Sequence, residues 1–437
     1  MTTTSRTQLE NEAIRICQEL IRIPSVNYGD GKGDEKAVAE HVMKLLTEVG
    51  IQATMYESAP GRCNVIARIK GTDSYRPGLV LHGHIDVVPA NAADWSVDPF
   101  SGEIRDGMIW GRGAVDMKNM DAMILATVRD WARTGYTPQR DIVLAFFADE
   151  EAGSIYGSHW MVDKHPEVFA GCTEAVSEVG GFSVTVSGGK RLYLIETAEK
   201  GIHWMKLTAH GRAGHGSVTN NENALTRLSE AVAKIGNHQW PQRYSQTVKA
   251  FFKRVAAETG KNYNEKDLTP LLSELGFAAR MVGATLQNTA NPTMLEAGYK
   301  ANVIPGSASA VVDGRFIPGF EDELNETIRS LIGPDITIET ITTDKALEVP
   351  FEGDLVDAMC AAIMVEDPEA VPVPYVMSGG TDNKALAELG IIGYGFSPLK
   401  LDADFDFMAL FHGVDERVPV EGLTFGVRVL KDFLEHA

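Results

Sequence analysis

Seven acidic and imidazole side chains stand in settings that suit divalent cations: His84, Asp86, Asp116, Glu150, Glu151, Glu178 and His412. Neutral imidazole nitrogens and carboxylate oxygens are the donors that hold hydrolytic zinc, with one position left open for water. Two cations that share a carboxylate can hold both a nucleophile and the oxygen of the bond under attack. Glycines beside three of these residues allow close backbone approach: Gly111-Arg112-Gly113-Ala114-Val115 precedes Asp116, Gly180-Gly181 follows Glu178-Val179, and Gly413 follows His412. In His84-Ile85-Asp86 the two polar side chains flank an apolar one, and residues two apart on an extended backbone share a side. Asp86 can then fix the tautomer of the His84 imidazole. Glu150 and Glu151 are adjacent and point in different directions, so one can ligate a cation while the other takes a proton from water.

Taken singly, each pattern is weak. His-x-Asp is common, Asp149-Glu150-Glu151 reads as a solvated acidic turn, and a lone His-Gly carries nothing. What gives them weight is their placement relative to the elements that must hold them. Gly78-Leu79-Val80-Leu81 and Ile142-Val143-Leu144-Ala145-Phe146-Phe147 are continuous apolar runs, as strands buried on both faces are. The first leads into His82-Gly83-His84 and the second into Asp149-Glu150-Glu151. Ligands gather beyond the carboxyl ends of strands in such sheets.

Helical spacing falls at Gln8 to Ile23 (stopped by Pro24), Asp34 to Val49 and Met120 to Thr134. Strands alternating with helices give an α/β fold, a mixed and largely parallel sheet flanked by helices. Past Gly201 the pattern changes: strands at Ile202 to Thr208, Ala308 to Phe316 and Ile336 to Thr342, helices at Asn223 to Ile235 and Glu321 to Ile332. That order predicts a smaller α+β, ferredoxin-like domain. Helices at Leu355 to Met364, Thr381 to Leu389 and Val420 to Glu435 return the chain to the first domain. The expected division is residues 1–199 with 345–437 as a catalytic domain, and 200–344 as an inserted lid or dimerisation domain. A mainly helical insertion at about 240–292 interrupts the latter. A chain of 437 residues also exceeds what one core normally supports.

Composition narrows the function classes. A net charge of -20 excludes a phosphate-neutralising nucleic-acid binder. No apolar run reaches the roughly 20 residues that span a bilayer. The start, Met1-Thr2-Thr3-Thr4-Ser5-Arg6, lacks the apolar core of a secretory signal. Cys17, Cys63, Cys172 and Cys360 are scattered without a CxxC pair, so buried free thiols and a cytoplasmic location are expected. No GxSxG elbow and no HExxH helix is present.

Assembled in order, these blocks resemble the co-catalytic zinc metallopeptidase family that includes aminoacylase, a glutamate-releasing bacterial carboxypeptidase and succinyl-diaminopimelate desuccinylase. The matching text is His84-Ile85-Asp86-Val87-Val88-Pro89, Trp95, Asp98-Pro99-Phe100, Gly111 to Lys118, Asp149 to Gly153, Glu178 to Gly181, Gly211 to Ser217 and Phe411-His412-Gly413. The resemblance implies two divalent cations, zinc first, with cobalt and manganese also suited to such a donor set. It implies that Asp116 bridges them, that His84 and Glu178 complete one ion, and that Glu151 and His412 complete the other. Glu150 becomes the general base and Asp86 the acid that orients His84.

His215, in Gly214-His215-Gly216-Ser217, matches the family histidine that reaches an active site, often across a homodimer, and stabilises an oxyanion. It equally suits a loop histidine that caps the following helix. Asn302 and Arg315 match substrate-contacting positions. The planar fork of Arg315 suits a carboxylate, although an ion pair with Asp313 would also occupy it. In Ser378-Gly379-Gly380-Thr381-Asp382, Gly379, Gly380 and Thr381 read either as an anion cradle or as a helix-capping turn. The implied reaction is hydrolysis of an amide bond beside a free carboxylate, in a dipeptide, at a C-terminal residue or in an N-acyl amino acid. A catalytically silent metal-binding scaffold and a phosphoester hydrolase are the rival readings.

Overall fold

In a computed structural model, residues 6–29 and 31–437 are described. The centre is a ten-stranded sheet whose main path runs Ala53–Ala59, Arg62–Ile69, Ile142–Phe147, Gly78–His84, Cys172–Ser177, Ile392–Gly395, Arg191–Glu199 and Leu347–Glu348. Ala370–Met377 and Phe182–Thr185 pair off this path with Arg191–Glu199. The four middle strands from Ile142–Phe147 to Ile392–Gly395 are mutually parallel. Leu79, Leu81, Leu144 and Phe146 feed one core cluster, while Val80, Val143, Ala145 and Phe147 feed another. With both faces covered, strands buried throughout have no reason to alternate apolar and polar residues.

The flanking helices follow local signals. Gln8–Ile21 opens with a complete capping box, Thr7 and Glu10 each satisfying the other's backbone N–H. Lys118–Thr134 stops at Gly135, which takes the left-handed conformation at φ 72°. Thr381 to Leu389, expected as one helix, is instead a short helix at Asn383–Leu386 followed by a 3-10 turn at Ala387–Leu389.

Between residues 201 and 344 a four-stranded antiparallel sheet orders its strands Thr289–Ala297, Ser307–Phe316, Gly201–His210 and Ile336–Asp344. Helices Ala224–Gly236 and Glu321–Ile332 cover one face and enclose a separate core around Leu207, Leu228, Val312 and Leu324. The helices at Gln246–Thr259 and Ala278–Gly283 do not join that core. Val248, Phe251, Phe252 and Met281 instead pack into the core of the large sheet, against Ala370–Met377.

Candidate metal centre

Three adjacent parallel strands end in metal-type side chains. His84 closes Gly78–His84, Glu150 and Glu151 form the turn after Ile142–Phe147, and Glu178 follows Cys172–Ser177. Asp116 sits just before the helix Lys118–Thr134, and His412 lies in the loop before Arg417–Pro419. His84, Asp116 and Glu178 each offer a ligand atom within 4.8 Å of the others, and so do Asp116, Glu151 and His412. Asp116 belongs to both groups. Its Oδ1 lies 3.0 Å from His84 Nε2, and its Oδ2 lies 3.2 Å from His412 Nε2. His412 Nε2 is also 3.0 Å from Glu151 Oε2, and His84 Nε2 is 3.7 Å from Glu178 Oε2.

The electrostatics describe a site short of positive charge. Burial, then the Asp116 carboxylate, pushes Glu151 up to about 7, and burial likewise raises Glu178 to about 7 despite His84. Burial with the nearby Glu178 and Glu151 drives Glu150 well above the carboxylate range. Hydrogen bonding to Asp116, then to Glu151, lifts His412 to about 10. Among the described residues Glu151 Oε1 is buried without a hydrogen-bond partner. Crowded carboxylates with an orphaned oxygen are what a divalent cation between them would relieve, and the mixed imidazole–carboxylate donors suit zinc.

Strain and close packing hold these groups in place. His412 and Val179 adopt φ of 56°, and Asp149 adopts 68°, a region that costs non-glycine residues energy and persists where surroundings enforce it. At Gly180 an added Cβ would lie 1.8 Å from the Gly395 carbonyl oxygen, so only glycine lets the Glu178 turn lie against the neighbouring strand.

Asp86 does more than its spacing suggests. His84 Nδ1 lies 3.1 Å from the Asp86 backbone oxygen and 3.5 Å from the carboxylate Oδ1. The carboxylate itself accepts the N–H groups of Glu150 and Glu151 at 3.2 Å each, which fixes the turn carrying both glutamates. Asn27 Nδ2 donates to Asp86 and to Asp149, both at 2.9 Å, and the buried Arg62 lies 2.7 Å from both Asp149 and Glu35. Glu416 is fully buried and accepts N–H groups from Gly113 at 3.0 Å, Val115 at 2.8 Å and Asp116 at 3.3 Å, with Arg112 Nη1 at 2.7 Å. Asn27, Glu35, Arg62 and Glu416 do not stand out in the sequence, because single polar residues with partners far away in the chain leave no spacing pattern.

A cavity of about 460 Å³ opens onto the cluster. Glu150, Arg315, Gly379, Gly380 and Thr381 line it. Arg315 is held in it by Asp313, with Nε at 2.7 Å and Nη2 at 3.2 Å from that carboxylate. Thr381 gives its N–H and hydroxyl to Glu199 at 3.0 and 2.6 Å, while its Oγ1 accepts the Asn383 N–H at 3.1 Å. The donors of Thr381 are therefore taken by Glu199 of the same chain. His215 and Asn302 are not brought to the cavity. Both are exposed: His215 pairs with Val303 in the short ladder Gly214–His215 against Val303–Ile304, its Nδ1 2.8 Å from Ser217 Oγ, and Asn302 immediately precedes that ladder. His82, two residues before His84, is buried and bonded to Asn383 Oδ1 at 2.9 Å, and burial lowers it to about 4.

Fold and donor set are those of a metal-dependent hydrolase. The chain belongs to Peptidase family M20/M25/M40, which it matches over residues 80–436. It is 30% identical over 390 residues to the probable carboxypeptidase S-like 2 of Dictyostelium discoideum, covering 84% of this chain and 72% of that one. It is 27% identical over 452 residues to the N-fatty-acyl-amino acid synthase/hydrolase PM20D1 of Mus musculus, covering 98% and 89%. The fold matches that of the M20 family metallo-carboxypeptidase Sso-CP2 of Sulfolobus solfataricus with a TM-score of 0.74, over 97% of this chain and 99% of that one at 18% identity. The chain is accordingly a metal-dependent peptidase or amidohydrolase. Among the described residues no helix is long and apolar enough to cross a membrane.

Proposed function

We propose that this chain hydrolyses the amide bond of a small substrate carrying a free carboxylate, a dipeptide or an N-acyl amino acid, with Glu150 as general base. The observation that carries the reading is the shared Asp116 carboxylate, one oxygen toward His84 and the other toward His412, beside the half-buried Glu150 in the same cavity. His84, Glu178, Glu151 and His412 complete the donor sets for two cations, zinc by preference. Cations held there supply Lewis acidity and bring the pKa of a water to about 7.

Glu150 takes the proton of the attacking water and returns it to the leaving nitrogen. Asp86 keeps both His84 and the glutamate turn in register. Arg315, steadied by Asp313, offers the substrate carboxylate its remaining face, and Gly379 and Gly380 let the backbone approach closely. His215 and Asn302 are exposed and lie off this cavity, which supports their acting on a second copy's site in a homodimer rather than on their own. The four free cysteines support a reducing compartment such as the cytoplasm.

The test is a release assay with zinc-loaded protein against dipeptides, N-acyl amino acids and their carboxamide analogues. Glu150→Gln should lose roughly 100- to 10,000-fold in turnover at unchanged cation content, and amidating the substrate carboxylate should raise KM. Retention of most activity by Glu150→Gln would refute the base assignment.

A further inference from the structure

The helical segment at residues 246–283 lies in sequence within the small domain, yet it shares the core of the large sheet. Its last helix, Ala278–Gly283, brings Met281 to the wall of the cavity that holds Asp116 and Glu150. Met377 arrives from the edge strand Ala370–Met377, and Met408 from the turn just before His412. Three methionines from three separate segments therefore line the same cavity, as do Tyr375 and Phe411. Amide cleavage requires none of them.

Of the lining cations, Arg315 keeps the face that Asp313 leaves free for the substrate carboxylate, and Lys384 Nζ is engaged by the carbonyls of Lys200 at 2.8 Å and Lys345 at 2.6 Å. Beyond the carboxylate cluster and Arg315, the methionine and aromatic side chains of the lining offer apolar contact. Met281 is only 8% exposed, and Phe252 and Val282 lie buried in the same core, so its exposed edge has firm support.

We propose that Met281 is a specificity-determining residue which, with Met377 and Met408, forms a subsite for a flexible apolar acyl chain. The inference rests on the amide-hydrolase reading and deepens it by naming the substrate's acyl arm. Unbranched thioether side chains reshape around irregular apolar ligands, and a cavity of about 460 Å³ lies in the range of small-ligand sites. The helical insertion is thereby part of the substrate site.

The experiment measures kcat/KM of the zinc-loaded enzyme on acetyl, butanoyl, hexanoyl and octanoyl derivatives of one amino acid, alongside a dipeptide panel. For the wild type, kcat/KM should rise about fourfold per methylene over the shorter chains, mostly through KM. Met281→Gln, similar in length but polar, should cut the octanoyl value tenfold or more and leave the acetyl value within twofold. Met281→Leu should restore the slope. Met281→Phe, a second apolar variant, should move the optimum to shorter chains. A wild type indifferent to chain length overturns the proposal, and so does a Met281→Gln variant that loses acetyl and octanoyl activity equally. Cleavage of dipeptides without any acyl amino acid overturns it while sparing the amide-hydrolase reading. Failure to cleave any amide overturns both.

Discussion

Replacing Glu416 by alanine removes one buried carboxylate that serves four donors: the N–H groups of Gly113, Val115 and Asp116, and the guanidinium of Arg112. Leaving a buried N–H unpaired costs about 1–3 kcal/mol. Stripping a buried guanidinium of its partner costs about 3–5 kcal/mol. The four losses share one relaxation and do not add, so the expected destabilisation of Glu416→Ala is about 4–6 kcal/mol. That is a large part of a typical stability of about 5–15 kcal/mol.

Glu416→Gln keeps one acceptor oxygen and turns an amide NH₂ toward either Arg112 or the Val115 and Asp116 N–H groups, so about half that loss is expected. The loop Gly111–Asp116 also sets where the shared carboxylate stands, so affinity for the divalent pair should fall about 10- to 100-fold, as it does when groups that orient metal ligands are removed. The assay is urea unfolding of chelator-treated protein at pH 8, above the value of about 7 to which burial lifts the Glu416 carboxyl, followed by calorimetric titration with zinc. If Glu416→Ala unfolds within about 1 kcal/mol of the wild type and binds zinc within twofold, the positioning argument is wrong.

Two further outcomes follow from the same geometry. Chelation should abolish amide cleavage and lower Tm, and zinc, cobalt or manganese should restore both, since ions that bind only the folded state add roughly 2.7 kcal/mol at a hundredfold excess over Kd. Loss of activity without a change in Tm would show that the ions bind elsewhere. Asp367, bonded to Arg191 Nε at 2.5 Å and Nη2 at 2.6 Å, is held at about 2 chiefly by that arginine. Because its folded pKa is depressed, its contribution, on the order of 2 kcal/mol, is present above about pH 4 and vanishes as pH falls through about 2. The stability gap between wild type and Asp367→Asn, followed by chemical unfolding of chelator-treated protein from pH 5 to 2, should close over that interval; a constant gap would contradict this.

Two central strands of the ten-stranded sheet are legible in the sequence because burial on both faces writes itself as Leu79-Val80-Leu81 and Ile142 to Phe147 without polar interruption. The donors are legible for a related reason: each follows such a strand or sits beside glycine, and all five come within ligand distance of their group. Ala370–Met377 is hidden because Pro372 and Pro374 argue against a strand. They are tolerated here since, among the described residues, this strand pairs only with Arg191–Glu199, leaving its other side without a strand partner. Arg62, Asn27 and Glu416 are hidden for a different reason, since their partners lie far away in the chain. The helices at 246–283 carry a plain amphipathic pattern that declares a buried face but not which core receives it.

The carboxylate cluster takes all its donors from residues 84–178 and 412, and none from the stretch that runs from Gly201 to Asp344. That stretch instead supplies Ile202, Trp204, Met281 and Arg315 to the surrounding walls. On the proposed reading the bond-breaking groups lie wholly outside that stretch, while substrate choice draws on it together with Met377 and Met408. Divergence, or a designer's library, confined to the middle of the gene could retune what is accepted while leaving the cutting apparatus intact.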